Sequence, residues 1–228
     1  MHSIGAPRDC GRRPEQLERE ATLVVLEVIL AHVLPSPVHN ARTADARTVV
    51  LVEGASDRHA VEALAARRGR DLEAERISVV PISGAKRIGR FLEIYGPRGH
   101  DARLAGLCDA AEAADFQRGL ERAGLGVDLD RAGMEALGFY VCEADLEDEL
   151  IRALGVVRVQ EVIAAQGEIA AFRTLQLQPA QRGRSVEAQL RRFMGTKGGR
   201  KLRYGTLLVD ALDLERVPRP LDHLLARL

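Results

Sequence analysis

Cysteine is scarce in this chain, and an excess of charge is missing altogether. The three thiols, Cys10, Cys108 and Cys142, are odd in number and match no zinc-ligand spacing, which excludes a disulfide framework and a zinc ribbon. Lys plus Arg is 33 and Asp plus Glu is 33. A uniformly basic DNA-coating protein is thereby excluded, though a local basic face is not. Lysine is rare: only Lys86, Lys197 and Lys201 occur among many arginines, so a lysine is the more informative cation. No apolar run is long enough to span a bilayer, which takes about 20 residues; the most apolar window, Thr22 to Leu34, is interrupted by Glu27 and His32. Phosphate-binding Gly-x-x-x-x-Gly-Lys-[Ser/Thr], dinucleotide-binding Gly-x-Gly-x-x-Gly and the Gly-x-Ser-x-Gly elbow are all absent. The scattered histidines form no pair with ligand spacing. Together these features predict a soluble cytoplasmic protein with Cys108 and Cys142 as buried, reduced thiols.

What the chain has is an ordinary globular balance, 46% hydrophobic and 29% charged over 228 residues. That length suits one large domain, or one domain with an appendage. Residues 1–46 read as a tail, an amphipathic helix from Glu15 to Leu34 stopped by Pro35 and Pro37, and a linker. The helix either packs on the main domain or makes a homodimer contact. From Thr48 onward the pattern alternates. Strands are predicted at 48–53, 77–81, 104–108 and 139–142, and helices at 56–68, 85–95, 112–123 and 146–154. Such alternation argues for an α/β fold of three layers, with about four mostly parallel strands and helices on both faces. The expected strand order is 2-1-3-4. The domain should occupy residues 47–155. Residues 156–228 read as a helical extension with a basic loop, its helices near 158–165, 168–176, 185–194, 200–213 and 220–227.

Parallel sheets gather ligands beyond the carboxyl ends of their strands. There the first strand delivers Glu53 and, one helical turn on, Asp57. The third delivers Asp109 and Glu112. The fourth delivers Glu143, Asp145, Glu147, Asp148 and Glu149. Carboxylates crowded within about 4–6 Å raise one another's pKa, and a divalent cation relieves the repulsion. Hard oxygens suit Mg²⁺ or Mn²⁺, as one or two ions. The plainer alternative is that Asp57 and Glu112 cap their helices and the later run is a solvated first turn.

The word Val52-Glu53-Gly54-Ala55-Ser56-Asp57 resembles the first motif of TOPRIM domains, the metal-dependent fold of topoisomerases, primases and certain nucleases. Leu107-Cys108-Asp109-Ala110-Ala111-Glu112 sits where that family has its Asp-x-Asp motif. Ala144 to Leu150 is similar to the Asp-Leu-Glu segment of the TOPRIM domain in OLD-family (overcoming lysogenisation defect) nucleases. The resemblance covers roughly residues 48–155. It implies that Glu53 is a metal ligand or the general acid/base, that Asp57 and Asp109 are metal ligands, and that Glu147 with Asp145 completes a second site. One departure is Ala111, which stands where the second Asp of Asp-x-Asp is expected; Glu112 or a water would have to replace it. Full OLD proteins carry an ATPase domain, and without a phosphate loop in this sequence the resemblance assigns ATP hydrolysis to a separate ATPase partner or to none.

Residues 182–203 hold Arg182, Arg184, Arg191, Arg192, Lys197, Arg200, Lys201 and Arg203 against Glu187 alone. Gly195, Gly198 and Gly199 interleave with them. A Gly-rich basic loop suits phosphate-backbone contact, whereas one Tyr and one Phe offer little for base stacking. The other reading is a solvated helix face. In OLD-type nucleases a C-terminal lysine is thought to offset transition-state charge; the resemblance implies Lys201 for that role by position, with Lys197 second. The expected function is a metal-dependent DNA endonuclease. Two alternatives stand: a degenerate domain that binds nucleic acid or a partner without chemistry, and an α/β enzyme acting on a small phosphate ester.

Overall fold

The computed structural model describes residues 45–197 and 199–228. The expected tail, helix and linker before residue 45 lie outside the described residues. Strand β1 (Thr48–Val52) is apolar apart from Thr48 and wholly buried. It pairs in parallel with β2 (Ile77–Pro81) on one side and β3 (Arg103–Cys108) on the other, and β4 (Phe139–Val141) closes the sheet beside β3. The order is β2-β1-β3-β4. A chain that steps from β1 to β2 and then returns to β1's other flank reverses direction between β1 and β3, so the crevice opens at their carboxyl ends.

Side chains on β1 alternate between faces with the strand period of two. Val50 and Val52 join one apolar core; Val49 and Leu51 join the other. Helix α1 (Ala55–Arg67) lies on the first face with Ala60, Val61, Leu64 and Ala65 inward. Helices α2 (Ile88–Tyr95) and α3 (Ala113–Arg122) cover the second face, led by Ile88, Phe91, Leu92, Phe116 and Leu120. A short helix α4 (Arg131–Ala136), capped by Asp130 accepting from the Gly133 N–H, adds Met134 to that core. The sequence pattern gave no sign of α4: six residues with one buried apolar side chain are too few to show a period.

After β4 the chain forms α5 (Leu146–Leu154), α6 (Val156–Ala165), α7 (Ile169–Leu177), α8 (Val186–Met194), α9 (Arg200–Ala211) and α10 (Arg219–Arg227). Their buried side chains, among them Leu150, Ile163, Phe172, Leu190, Tyr204 and Leu224, merge with the core under α1. The helical extension thus adds to one face of the sheet. Two glycines permit the tightest approaches. A Cβ at Gly106 would lie 2.5 Å from Phe139 Cδ1 and 2.9 Å from the Leu51 carbonyl, so only glycine lets that ring cross β3. At Gly205 a Cβ would meet the Ser56 carbonyl at 3.2 Å; its absence lets α9 lie close against the start of α1, and this brings Lys201 to the carboxyl edge of the sheet. No helix among the described residues is long and apolar enough to cross a membrane.

Candidate active site

The site is built at the β1–β3 switch point. Glu53 follows β1 directly, and its Oε1 accepts the Asp109 N–H at 2.6 Å, tying the two strand ends together. Gly54 caps α1 in an extended conformation, and its N–H donates to Asp57 Oδ2 at 2.8 Å. Asp57 therefore does cap the helix, but it is also buried beside the other acids. Asp109 opens a 3-10 turn, Ala110–Glu112, and the Ala110 N–H donates to the Ala144 carbonyl at 3.1 Å, which joins the ends of β3 and β4. Among the described residues no donor lies within hydrogen-bond reach of the Asp109 carboxylate.

The remaining acids divide by their partners. Glu112 Oε2 accepts the Ala85 N–H at 3.2 Å, at the turn after β2. That contact points it at the β2 end, and it still lies near enough to repel Glu53. Asp145 caps α5 through the Asp148 N–H at 2.8 Å, and its other oxygen pairs with Arg191 of α8. Glu147 is buried and meets Lys201 Nζ at 3.1 Å. Glu143, Asp148 and Glu149 all converge on Arg152, at 2.8, 2.8 and 2.9 Å. Those three are engaged by one guanidinium, which the sequence pattern could not separate from the acids facing the site.

Burial pushes the Asp109 carboxyl up to about 8, helped by repulsion from Glu53, Asp57 and Asp145, with Lys201 opposing. Burial likewise raises Glu53 to about 7, against the Asp109 N–H bond, with Glu112 and Asp57 adding repulsion. Asp57 and Glu147 also rise through burial, Asp57 opposed first by the Gly54 N–H and Glu147 by Lys201. For Lys201 burial works against the charge, but pairing with Glu147, and then Asp57 and Asp109 in range, holds the ammonium above its ordinary value. The Glu147 and Lys201 shifts favour opposite states of one contact. A 3.1 Å approach to an ammonium whose side chain is 48% exposed decides for the ionised pair.

The basic run is distributed rather than presented as one face. Arg200 and Arg203 pair with Glu168 at 3.1 and 2.6 Å, Tyr204 donates to the same carboxylate at 2.8 Å, and Arg200 stacks 4.0 Å over the Phe193 ring. This lattice anchors the first turn of α9 and thereby sets the position of Lys201. Arg184, Arg191, Arg192 and Lys201 line a cavity of about 450 Å³ together with Asp145 and Glu147. Lys197 and Arg182 are exposed. Arg191 belonged to the basic run in the sequence, but its partnership with Asp145 was not legible there.

Among the described residues, no three Asp, Glu, His or Cys side chains converge closely enough to form a ready ligand cage. Mg²⁺ does not require one. It takes one or two protein carboxylates and keeps several waters. Glu53 and Asp109, at adjacent strand ends among other acids, offer hard oxygens of that kind, and Asp109 has no competing protein donor among the described residues. The donor set fits a hard divalent cation held at an open site.

A parallel α/β sheet in order 2-1-3-4, with Glu53, Asp57 and Asp109 gathered at the β1 and β3 ends, is similar to the arrangement of TOPRIM domains. Residues 46–109 match the family model for the overcoming lysogenization defect protein-like TOPRIM domain. The fold is similar to the C-terminal region of the Xanthomonas campestris pv. campestris OLD protein, with a TM-score of 0.62, 25% identity, and coverage of 79% of this chain and 93% of that chain. A second structure of that region gives 26% identity and the same TM-score, covering 79% of this chain and 91% of that one. The C-terminal region of the Burkholderia pseudomallei OLD protein is similar in fold at a TM-score of 0.59 and 22% identity, over 80% of this chain and 96% of that chain. No curated protein matches significantly. The family match covers residues 46–109, and across the rest of the described chain the likeness to the OLD C-terminal regions is one of fold.

Proposed function

We propose that the domain is a metal-dependent DNA endonuclease that hydrolyses phosphodiester bonds. The observation that carries the reading is the juxtaposition of Glu53 and Asp109 at the switch point, both raised by burial and by neighbouring carboxylates, with Lys201 in range of both. Glu53, Asp57 and Asp109 would hold a Mg²⁺ or Mn²⁺ ion, and Asp145 and Glu147 would serve a second. When bound, such ions polarise the phosphoryl oxygens and lower the pKa of water. Lys201 offsets charge on the phosphate, and Lys197, exposed in the loop before α9, is a further cation for the backbone. Arg184, Arg191 and Arg192 give the groove a positive wall for the DNA strand. Glu112, one oxygen of which accepts the Ala85 N–H, would act on the ion through the field at Glu53 rather than as a direct ligand. The free, buried thiols of Cys108 and Cys142 fit a reducing cytoplasm.

A second reading, a TOPRIM-like domain that binds without cutting, is favoured by Ala111 and by the occupied oxygens of Asp145. Plasmid nicking in Mg²⁺ or Mn²⁺ separates the two. Glu53→Ala and Asp109→Ala should each abolish nicking with circular dichroism unchanged. Cleavage retained in both variants would reject the assignment, and an inert wild type that still retards DNA would favour the binding module.

A further inference from the structure

The carboxylates at the sheet edge fall into two electrostatically unlike halves. Among the described residues, Glu53, Asp57 and Asp109 form no ion pair, whereas Asp145 pairs with Arg191 and Glu147 with Lys201. Within each pair the two partners differ in freedom. The Glu147 side chain is 5% exposed and that of Lys201 is 48% exposed; the Asp145 side chain is 12% exposed and that of Arg191 is 48%. Asp145 is further held by the Asp148 N–H at 2.8 Å. The carboxylates are therefore fixed, and the cations, on long stems beside open space, are the movable members. That space is the same cavity that Arg184 and Arg192 line.

We propose that Arg191 and Lys201 are built-in counter-ions of the Asp145–Glu147 half, so that a second divalent ion enters only by displacing them. The inference rests on the nuclease reading and specifies how the centre is loaded. A buried carboxylate without a cation is costly and is relieved either by a proton or by a positive partner. Before loading, the guanidinium and ammonium meet that need. Occupancy is then sequential: the first ion goes to the uncompensated Glu53–Asp109 half, and the second binds more weakly because it must compete. Ala111 fits this order: it brings no carboxylate to the second position, and Glu112, the acid of that turn, faces the Ala85 N–H. Displacement also turns two cations toward the cavity where a phosphate backbone would lie, so loading of the second ion and grip on the substrate are coupled.

The test titrates Mn²⁺ into the full chain without DNA and follows the free-ion signal by electron paramagnetic resonance, with melting temperature measured in parallel. Wild type should show one tight ion and one weaker. Arg191→Gln and Lys201→Gln should each tighten the weak class by about two- to fivefold, the scale expected for removing a competing, half-exposed ion pair, and leave the tight class alone. Arg191→Lys should retain the wild-type weak class. Both Gln variants should melt lower without metal and recover more on adding Mn²⁺ than wild type does. A purely structural role would lower melting and leave the weak class unchanged; that result, or loss of the weak class in both variants, overturns the proposal. Asp109→Asn should remove the tight class. Its removal alongside unaltered weak binding in the Gln variants would defeat this inference and leave the nuclease reading standing. Absence of any tight class in wild type would overturn both.

Discussion

Replacing Asp109 by Asn should make the metal-free protein more stable in alkaline buffer and flatten its pH profile. The Asp109 carboxyl is raised from 3.8 to about 8, by burial first and then by Glu53, Asp57 and Asp145. Between those values the native state keeps a proton that the unfolded chain has released. Its contribution to stability is therefore full below the ordinary value and is lost as pH rises through about 8. At about 1.4 kcal/mol per pH unit, the interval from 3.8 to about 8 is worth at most ~6 kcal/mol. The site is partly open to water and Lys201 lies in range, so screening reduces the recoverable part to about 2 kcal/mol. For a domain of this size 1 kcal/mol moves the melting temperature by roughly 2–4 °C, so Asn should raise it by about 4–8 °C at pH 9 and far less at pH 5. Differential scanning calorimetry in EDTA at the two pH values measures this. Mg²⁺ should reverse the order at high pH, stabilising wild type more than the variant. An Asn variant with the wild-type slope, or one that melts lower across the range, would refute the reasoning.

Gly106→Ala should destabilise the fold by about 1–3 kcal/mol through overpacking, because its Cβ would fall on Phe139 and the Leu51 carbonyl; an unchanged urea midpoint would contradict that packing. Arg152→Ala removes the shared partner of Glu143, Asp148 and Glu149. It should lower stability by about 1–3 kcal/mol with Mn²⁺ affinity unaltered, so a loss of metal binding would show that these acids belong to the centre after all. Glu168→Gln weakens the lattice of Arg200, Arg203 and Tyr204, and amide exchange across 199–204 should quicken. Equal protection in the two proteins would mean that the first turn of α9 is held by other contacts.

Much of the architecture could be read before any coordinates. The Thr48–Val52 run has no polar alternation because both of its faces are covered, and it is β1 at the centre of the sheet. Ile77–Pro81 and Leu146–Leu154 begin and end where the pattern puts them, and the strand order is the expected one. Small departures have local causes. The helices expected to start at 85 and 112 each open or are preceded by a 3-10 turn, Ala85–Arg87 and Ala110–Glu112, where a strand end must bend sharply into a helix. Acids at the strand ends were legible because a carboxylate directly after an apolar strand needs only the strand to be placed.

Which of those acids meets which cation was not legible. Arg191 lies 46 residues from Asp145 and reaches it only because α8 and α9 fold back over the carboxyl edge of the sheet. Arg152 gathers three acids that look, in sequence, like candidates equal to Asp145 and Glu147. Apolar periodicity is a local property, so the chain by itself determined the strands, their helices and the acidic strand ends. Coulomb energy depends on separation in space, so only the tertiary structure decided that Glu53 and Asp109 have no ion-pair partner among the described residues while Asp145 and Glu147 each hold one.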